Sequence, residues 1–173
     1  MIHLDVPKKF DMLLDMIISN IYIFKYFFSN NETMELKSSK NKPPIGAIIV
    51  AKLVNPNITV KWEAETQMDI GDGVQLRTCP SITRYLARSA SHLNLYGGDN
   101  IEMNTEIDHW LTFTLGSLSN HPGGDFKKAL EYMESVLAPI TFLVGESISI
   151  ADYVVFGTLY SSGFWMVSFL LFD

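Results

Sequence analysis

The chain has few of the residues that build covalently linked or metal-held folds. It contains one cysteine, Cys79, among 173 residues, so no internal disulfide framework is available. No Cys-x-x-Cys motif and no spaced pair of histidines indicates a zinc site. His109 lies beside Asp108 and near Glu106, but adjacent helical residues point to different faces, so a surface or hydrogen-bonding histidine is expected there rather than a metal ligand. A reducing compartment and no bound metal are the resulting expectations.

Positive charge is also scarce. Thirteen lysines and arginines stand against 19 acidic residues, which gives a net charge of −6 and a pI near 5.1. Nonspecific affinity for nucleic acid comes from clustered lysine and arginine, so this chain is not expected to bind nucleic acid itself. Apolar side chains, by contrast, make up 47% of the residues and aromatic ones 12%, which is ample for one packed domain with at most two lobes.

An amphipathic helix with two arginines on one ridge is predicted from residue 81. Ser81 is a suitable N-cap, because its hydroxyl can accept a backbone N–H that otherwise lacks a partner. On the outer face, Arg84 and Arg88 lie one turn apart. This ridge is either a solvated basic surface or a surface that contacts a partner, and the pattern leaves both interpretations open. Apolar residues recur at helical spacing on the other face, at Ile82, Tyr85, Leu86, Ala90 and Leu93.

Two more helices are predicted from apolar spacing. The first begins between Asn100 and Thr105, and the second begins at Gly124 or Asp125 and ends before Pro139, because proline disfavours helical geometry in the residue ahead of it. The apolar stripe of the first consists of Ile107, Trp110, Leu111, Thr114, Leu115 and Leu118, of which the first three are expected at the centre of the core. The stripe of the second consists of Phe126, Ala129, Leu130, Met133 and Leu137.

A capping box marks the start of a further helix. Ser149 is followed three residues later by Asp152, and in such a pair each side chain satisfies a backbone donor of the other residue. Ile148 and Tyr153 occupy the positions of a hydrophobic staple around it. Asp152 is therefore interpreted as a structural acid and not as a catalytic one.

The region ahead of these helices has a weaker β pattern. Residues 45–54 are apolar enough for a strand or a short helix, and residues 58–62 alternate as a strand does. Residues 68–76 contain Gly71-Asp-Gly73, a plausible hairpin turn. Residues 30–41 are polar and rich in Ser, Asn and Lys, which is typical of a linker.

Both ends of the chain are unusual. Residues 12–28 are strongly apolar but contain Asp15 and Lys25 and no small-residue cleavage site follows, which disfavours a signal peptide. Residues 153–172 carry no charge and approach the length that spans a bilayer. That segment is a buried helix with a tail, a membrane anchor, or an extension unrelated to the domain. The capping box ahead of it favours the first or the third interpretation, because a core helix also avoids charge.

Several motifs together resemble a known family. They are the run from Ser81 to Ala90, Leu95-Tyr-Gly97, residues 105–111, residues 137–145 and Ser149-Ile-Ala-Asp152. These are similar to the N-terminal glutathione-transferase-like domain of glutamyl-prolyl-tRNA synthetases. The resemblance implies an α/β lobe followed by an all-α lobe: a reduced thioredoxin-like lobe at 43–80 and a helical lobe at 81–160 whose last helices are truncated. Residues 1–42 are then an extension and linker, and residues 161–173 a divergent tail.

The resemblance implies a noncatalytic docking module in a cytoplasmic multi-synthetase complex that supports translation. Its partners would be other subunits with glutathione-transferase-like domains, and neither a cofactor nor direct binding of tRNA is implied. Such domains associate through helix faces, where aromatic or arginine side chains supply much of the binding energy. Arg84, Tyr85 and Arg88 are the candidate partner-binding residues, by their position on the first helix of the pair.

An enzyme that uses glutathione is the alternative function. Glutathione transferases share three features that bind or activate the tripeptide. A Tyr, Ser or Cys in the turn after the first strand activates the thiol, an acidic-Ser pair holds the amino end of glutathione, and a Val-Pro segment contacts its backbone. Here residues 42–46 contain no hydroxyl or thiol, Pro80 stands where an acid is expected before Ser81, and the Val-Pro is missing. The class I synthetase motifs are also absent, so no catalytic residue is predicted. A protein tethered to a membrane through residues 153–172 is the second alternative.

Overall fold

The computed structural model describes residues 34–119 and 124–162. The chain divides into two units, Met1–Glu32 and Thr33–Asp173, and every described residue belongs to the second. The apolar segment at 12–28 and the tail after residue 162 lie outside the described residues. The elements in chain order are β1 (Glu35–Ser39), α1 (Ile45–Val54), β2 (Thr59–Glu63), β3 (Gln67–Asp69), β4 (Gln75–Leu76), α2 (Cys79–Ser89), a 3₁₀ turn (Ser91–Leu93), α3 (Ile101–Phe113), a π-helical turn (Thr114–Leu118), α4 (Gly124–Leu137) and α5 (Ile150–Ser161).

The first lobe is a four-stranded sheet in the order β2-β1-β3-β4. The β1 and β2 strands are parallel and are joined through α1, whereas β3 pairs antiparallel with both β1 and β4. The hairpin turn between β3 and β4 is at the predicted position, and it places Gly71, Asp72 and Gly73 at positive φ, which glycine adopts without strain. The predicted order of an α/β lobe followed by a helical lobe is confirmed.

The two faces of this sheet differ sharply in chemistry. Because side chains alternate along a strand, Leu36 shares one face with its register partners Val60 and Met68, and Leu36 and Met68 are fully buried. The opposite face is polar and carries Glu35, Lys37, Thr59, Lys61, Glu63, Gln67, Asp69 and Gln75. The prediction of a linker at 30–41 was wrong over Glu35–Ser39, because Glu35, Lys37 and Ser39 form the polar face of a strand. Ser38 is polar as well, but it is buried on the opposite face.

Helices α1 and α5 cross with their backbones in close contact. Gly46 of α1 and Gly157 of α5 face each other, and a Cβ built on Gly157 would overlap the backbone nitrogen of Gly46. A Cβ built on Gly46 would lie 2.7 Å from the Tyr153 carbonyl oxygen and from the Val154 Cα. Glycine is therefore required at both positions, because no side chain fits between the two helices. This crossing joins the sheet lobe to the helical lobe.

Helix α5 lies at the centre of the helical lobe, and its residues from Ile150 to Gly157 are all buried. The capping box predicted at its start is present. The Ser149 hydroxyl accepts the N–H of Ala151, and the Asp152 carboxylate accepts the N–H of Ser149 at 2.8 Å and that of Leu143 at 2.9 Å. Asp152 thus anchors the preceding loop as well as the helix start.

The N-cap of helix α2 lies three residues earlier than predicted, and Ser81 is not that cap. Thr78 is the N-cap, and its hydroxyl accepts the N–H of Ser81 at 3.3 Å. Pro80 fits inside the first turn, because the backbone N–H that it lacks would have no helical partner there. The hydroxyl of Ser81 lies 2.8 Å from that of Thr78 and so supports the cap without forming it.

Helix α3 begins after Asn100, whose side chain accepts the N–H of Met103. The three predicted core residues, Ile107, Trp110 and Leu111, are buried. Leu115, which was assigned to the same stripe, is 54% exposed, because the wider π-helical turn that starts at Thr114 changes the angular spacing of the residues that follow. Helix α4 has the predicted bounds.

Candidate partner-binding site

The ridge on α2 is held against α3 by an ion pair. Arg84 Nε donates a hydrogen bond to Asp108 Oδ1 at 2.6 Å, between residues 24 positions apart in sequence. The Arg84 side chain is 28% exposed, so its charge is only partly screened by solvent. An ion pair at a surface contributes about 0.2–1 kcal/mol to stability. Its larger effect is to hold the guanidinium in one orientation.

The second arginine of the ridge is held by a tyrosine. Arg88 Nη2 donates to the Tyr96 hydroxyl at 3.3 Å, and the guanidinium carbon lies 4.7 Å from the centre of the Tyr96 ring. Tyr96 is 6% exposed, and burial together with its interaction with Asp108 raises the pKa of its hydroxyl, while Arg88 opposes that shift. Arg84, Asp108, Tyr96 and Arg88 therefore form one connected polar group across α2 and α3.

The structure thus changes the interpretation of the ridge. Arg84 and Arg88 are brought together as predicted, but each has an intramolecular partner, so the ridge is not simply a solvated surface. Tyr85, the third candidate partner-binding residue, follows Arg84 in sequence and is half-buried. Asp108 and Tyr96 were missed as members of this group, because the contacts between α2 and the segments after it depend on tertiary packing that spacing along one helix does not report.

Arginine is concentrated in this part of the chain. The sequence has three arginines, Arg77, Arg84 and Arg88, and its other ten basic residues are lysines. A guanidinium presents several N–H donors in a planar fork, which suits bidentate contact with a carboxylate or a phosphate better than an ammonium group does. All three arginines fall within one turn-and-helix segment: Arg77 precedes the cap of α2, and Arg84 and Arg88 lie on the helix.

Aromatic side chains cluster between α3 and α4. The Trp110 ring stacks on Tyr132 with centroids 5.8 Å apart and meets Phe113 edge-on at 5.4 Å. His109 lies edge-on against Trp110. Among the described residues, no group of three His, Cys, Asp or Glu side chains could hold a metal ion. Tyr132 is exposed on the outer side of this cluster, while Trp110 is buried.

The turn in which a thiol-activating hydroxyl would be sought lies slightly earlier than predicted. Strand β1 ends at Ser39 and α1 begins at Ile45, so the connection is residues 40–44, which contain no hydroxyl or thiol. The last two residues of β1 are serines, Ser38 and Ser39. Ser38 is fully buried, and the hydroxyl of Ser39 accepts the N–H of Lys42 while its own N–H donates to the Thr66 hydroxyl.

Two further groups bear on function. Burial raises the pKa of the Cys79 thiol to about 12, against a smaller opposing effect of a hydrogen bond with the Ala47 backbone, so this thiol is a poor nucleophile. Burial also raises the pKa of Asp152, and the hydrogen bonds from Leu143 and Ser149 oppose that shift. Over residues 34–119 and 124–162, none of the helices combines the length and the apolar character needed to cross a membrane.

Solved structures show which class of fold this is. The glutathione S-transferase isozyme E7 of Drosophila melanogaster aligns with a TM-score of 0.65 at 13% sequence identity, over 77% of this chain and 78% of that one. The thioredoxin-like sheet lobe followed by a helical lobe is thus the glutathione-transferase fold. At this identity the likeness concerns the fold alone.

Sequence comparison identifies more specific relatives. The chain is 36% identical over 135 residues to the bifunctional glutamate/proline-tRNA ligase of Drosophila melanogaster, which covers 75% of this chain and 8% of the ligase. It is 29% identical over 134 residues to the cytoplasmic glutamate-tRNA ligase of Arabidopsis thaliana, which covers 75% of this chain and 18% of that ligase. The chain is therefore homologous to a short segment of these ligases. No protein-family model matches it.

Proposed function

We propose that this chain is a noncatalytic docking module of a glutamyl-prolyl or glutamyl-tRNA synthetase in a cytoplasmic multi-synthetase complex. One observation carries the proposal: three quarters of the chain matches only 8% of a tRNA ligase, and the chain has the fold of a glutathione transferase. A short segment with a transferase fold is suited to bind other proteins within a larger synthetase. The partners proposed are other subunits that carry glutathione-transferase-like domains.

The charge distribution supports protein partners over nucleic acid. The chain is acidic overall, with a net charge of −6, whereas two of its three arginines, Arg84 and Arg88, lie one turn apart on α2. Binding of tRNA would require a broad surface of positive charge. Binding of a protein requires a smaller patch, in which partly desolvated arginines contribute most.

The docking function can be tested with purified components. The chain is mixed with a purified glutathione-transferase-like domain from another synthetase-complex subunit, and association is measured by sedimentation velocity. Association at micromolar concentration is expected, and its reduction by Arg88→Glu is expected because that residue lies on the ridge. Arg77→Glu changes the charge equally outside the ridge and is the matched control. If every such domain fails to associate with a folded chain, the docking function is wrong.

Glutathione-dependent catalysis is the second candidate, because the fold is that of a transferase and two serines end strand β1. We expect no conjugation of glutathione to 1-chloro-2,4-dinitrobenzene above the uncatalysed rate, because Ser38 is buried and the Ser39 hydroxyl is turned toward Lys42. The assay is repeated with Ser39→Ala. A rate far above background that this substitution abolishes would establish the enzyme instead.

A further inference from the structure

The arginines on α2 have donors left over after their intramolecular contacts. A guanidinium carries five N–H donors. Arg84 uses Nε for Asp108, and Arg88 uses Nη2 for Tyr96. Within residues 34–119 and 124–162, no other hydrogen bond from either guanidinium is found, so most of their donors remain for an external acceptor.

These donors are also held in place. Asp108 fixes Arg84 from α3, and the Tyr96 ring lies beneath the Arg88 guanidinium while its hydroxyl accepts from it. Tyr96 is itself buried, and it interacts with Asp108, which links the two contacts into one group. An arginine that is already ordered loses less conformational entropy when it binds, so the contacts lower the cost of association.

The charge of this group selects the kind of partner. Two guanidiniums and one carboxylate leave a local excess of positive charge on a chain whose net charge is −6. A planar fork fits both carboxylate and phosphate, but the acidic remainder of the chain repels a polyanion such as RNA. A carboxylate on a protein helix avoids that repulsion, because it brings one or two charges and not a chain of phosphates.

We propose that Asp108 and Tyr96 are positioning residues that hold Arg84 and Arg88 to bind Asp or Glu side chains on a helix of a partner protein. This inference rests on the proposed docking function and names the chemistry of the partner's surface. The four side chains then form one recognition site, in which only the two arginines contact the partner.

The small number of arginines allows a direct test. With ¹⁵N-labelled arginine, the intact chain should show three Nε–Hε signals, and Arg77 serves as an internal control. The probe is a synthetic helical peptide with glutamates at i and i+4, and the matched peptide has glutamines there. The glutamate peptide is expected to shift the signals of Arg84 and Arg88 and not that of Arg77, whereas the glutamine peptide shifts none. Absence of these shifts at millimolar peptide, or equal shifts at all three arginines, would overturn the proposal.

A substitution at Asp108 separates positioning from simple electrostatics. Asp108→Ala removes a negative charge next to the ridge, so electrostatics alone predicts tighter binding of the glutamate peptide. Loss of positioning predicts weaker binding, by about two- to tenfold for each side chain freed. Tyr96→Phe, which keeps the ring and removes the hydroxyl, is expected to weaken binding through Arg88. Tighter binding by folded Asp108→Ala would contradict the positioning role.

Two controls complete the design. Replacing both ridge arginines by lysine keeps the charge and removes the fork. Because this variant lacks the Arg84 and Arg88 signals, its binding is measured by fluorescence anisotropy of the labelled glutamate peptide, and weaker binding than that of the unaltered chain is expected. An RNA hairpin is titrated in parallel, and preferential binding of RNA at the ridge would replace carboxylate recognition with phosphate recognition. If the subunit domains associate but the peptide shifts are absent, this inference fails and the docking function stands. If the shifts occur and no domain associates, the docking function is the one that fails.

Discussion

The crossing of α1 and α5 makes the substitution Gly157→Ala the most informative test of the fold. The added Cβ would lie 2.9 Å from the Cα of Gly46 and closer still to its nitrogen. Carbon atoms in contact are separated by about 3.5–4.0 Å. The two helix backbones must therefore move apart, because the obstacle is main chain and no side-chain rotation can relieve it.

The expected loss of stability follows from two opposing effects. Overpacking in a well-packed interior costs about 1–3 kcal/mol, and a clash with backbone lies at the upper end of that range. Alanine is favoured over glycine in a helix by about 1 kcal/mol, which offsets part of the cost. We expect a net loss of about 2 kcal/mol. For a chain of this size, with an m-value of about 2 kcal/mol per molar urea, the unfolding midpoint should fall by about 1 M.

The measurement is urea unfolding followed by far-UV circular dichroism, with Gly116→Ala as the matched control. A Cβ built on Gly116 lies within 4 Å of no described residue outside its own helical turn, so this substitution should leave the midpoint unchanged or raise it slightly. The double variant with Gly46→Ala should be less destabilised than the sum of the two single variants, because the first substitution already separates the helices. Equal midpoints for Gly157→Ala and Gly116→Ala would refute the close crossing.

Three further predictions concern single side chains. Trp110→Ala should lower the free energy of unfolding by about 3–5 kcal/mol through a cavity beside α4, whereas Trp62→Ala, at a side chain that is 54% exposed, should change the urea midpoint little. Replacing Ser149 and Asp152 by alanine should cost about 1–3 kcal/mol in the same assay, because buried N–H groups lose their acceptors. The Cys79 thiol should react slowly with iodoacetamide at pH 8 until urea is added. Because burial raises the pKa of this thiol from its ordinary value of 9.0 to about 12, its contribution to stability should be lost as the pH rises from about 9 to about 12.

Much of the helical lobe could be predicted because its signals are local. The capping box needs two side chains three residues apart, and both lie where the pattern places them. The bounds of α4 follow from its apolar stripe and from the proline after it. In contrast, strand β1 was missed, because one of its faces is polar and half-buried, and only Leu36 marks the buried side with an apolar residue.

The candidate site could be predicted only in part. Spacing along α2 put Arg84 and Arg88 on one ridge, since that relation depends on a single helix. Whether each arginine is free or paired depends on which residues α3 and the loop before it bring near, and no short-range pattern reports that. Asp108 and Tyr96 are 24 and 8 positions from their arginine partners, which is beyond the reach of periodicity.

The unequal faces of the sheet determine where this polypeptide can be divided. With one side polar, the sheet has a single apolar face, and α1, which connects β1 to β2, crosses α5 with Gly46 and Gly157 in close contact. Severing the chain near residue 80 would therefore leave an N-terminal fragment without a closed interior and a C-terminal fragment with its central helix uncovered. The two lobes differ in architecture, but neither has a complete core without the other. The described region should therefore unfold as one cooperative unit.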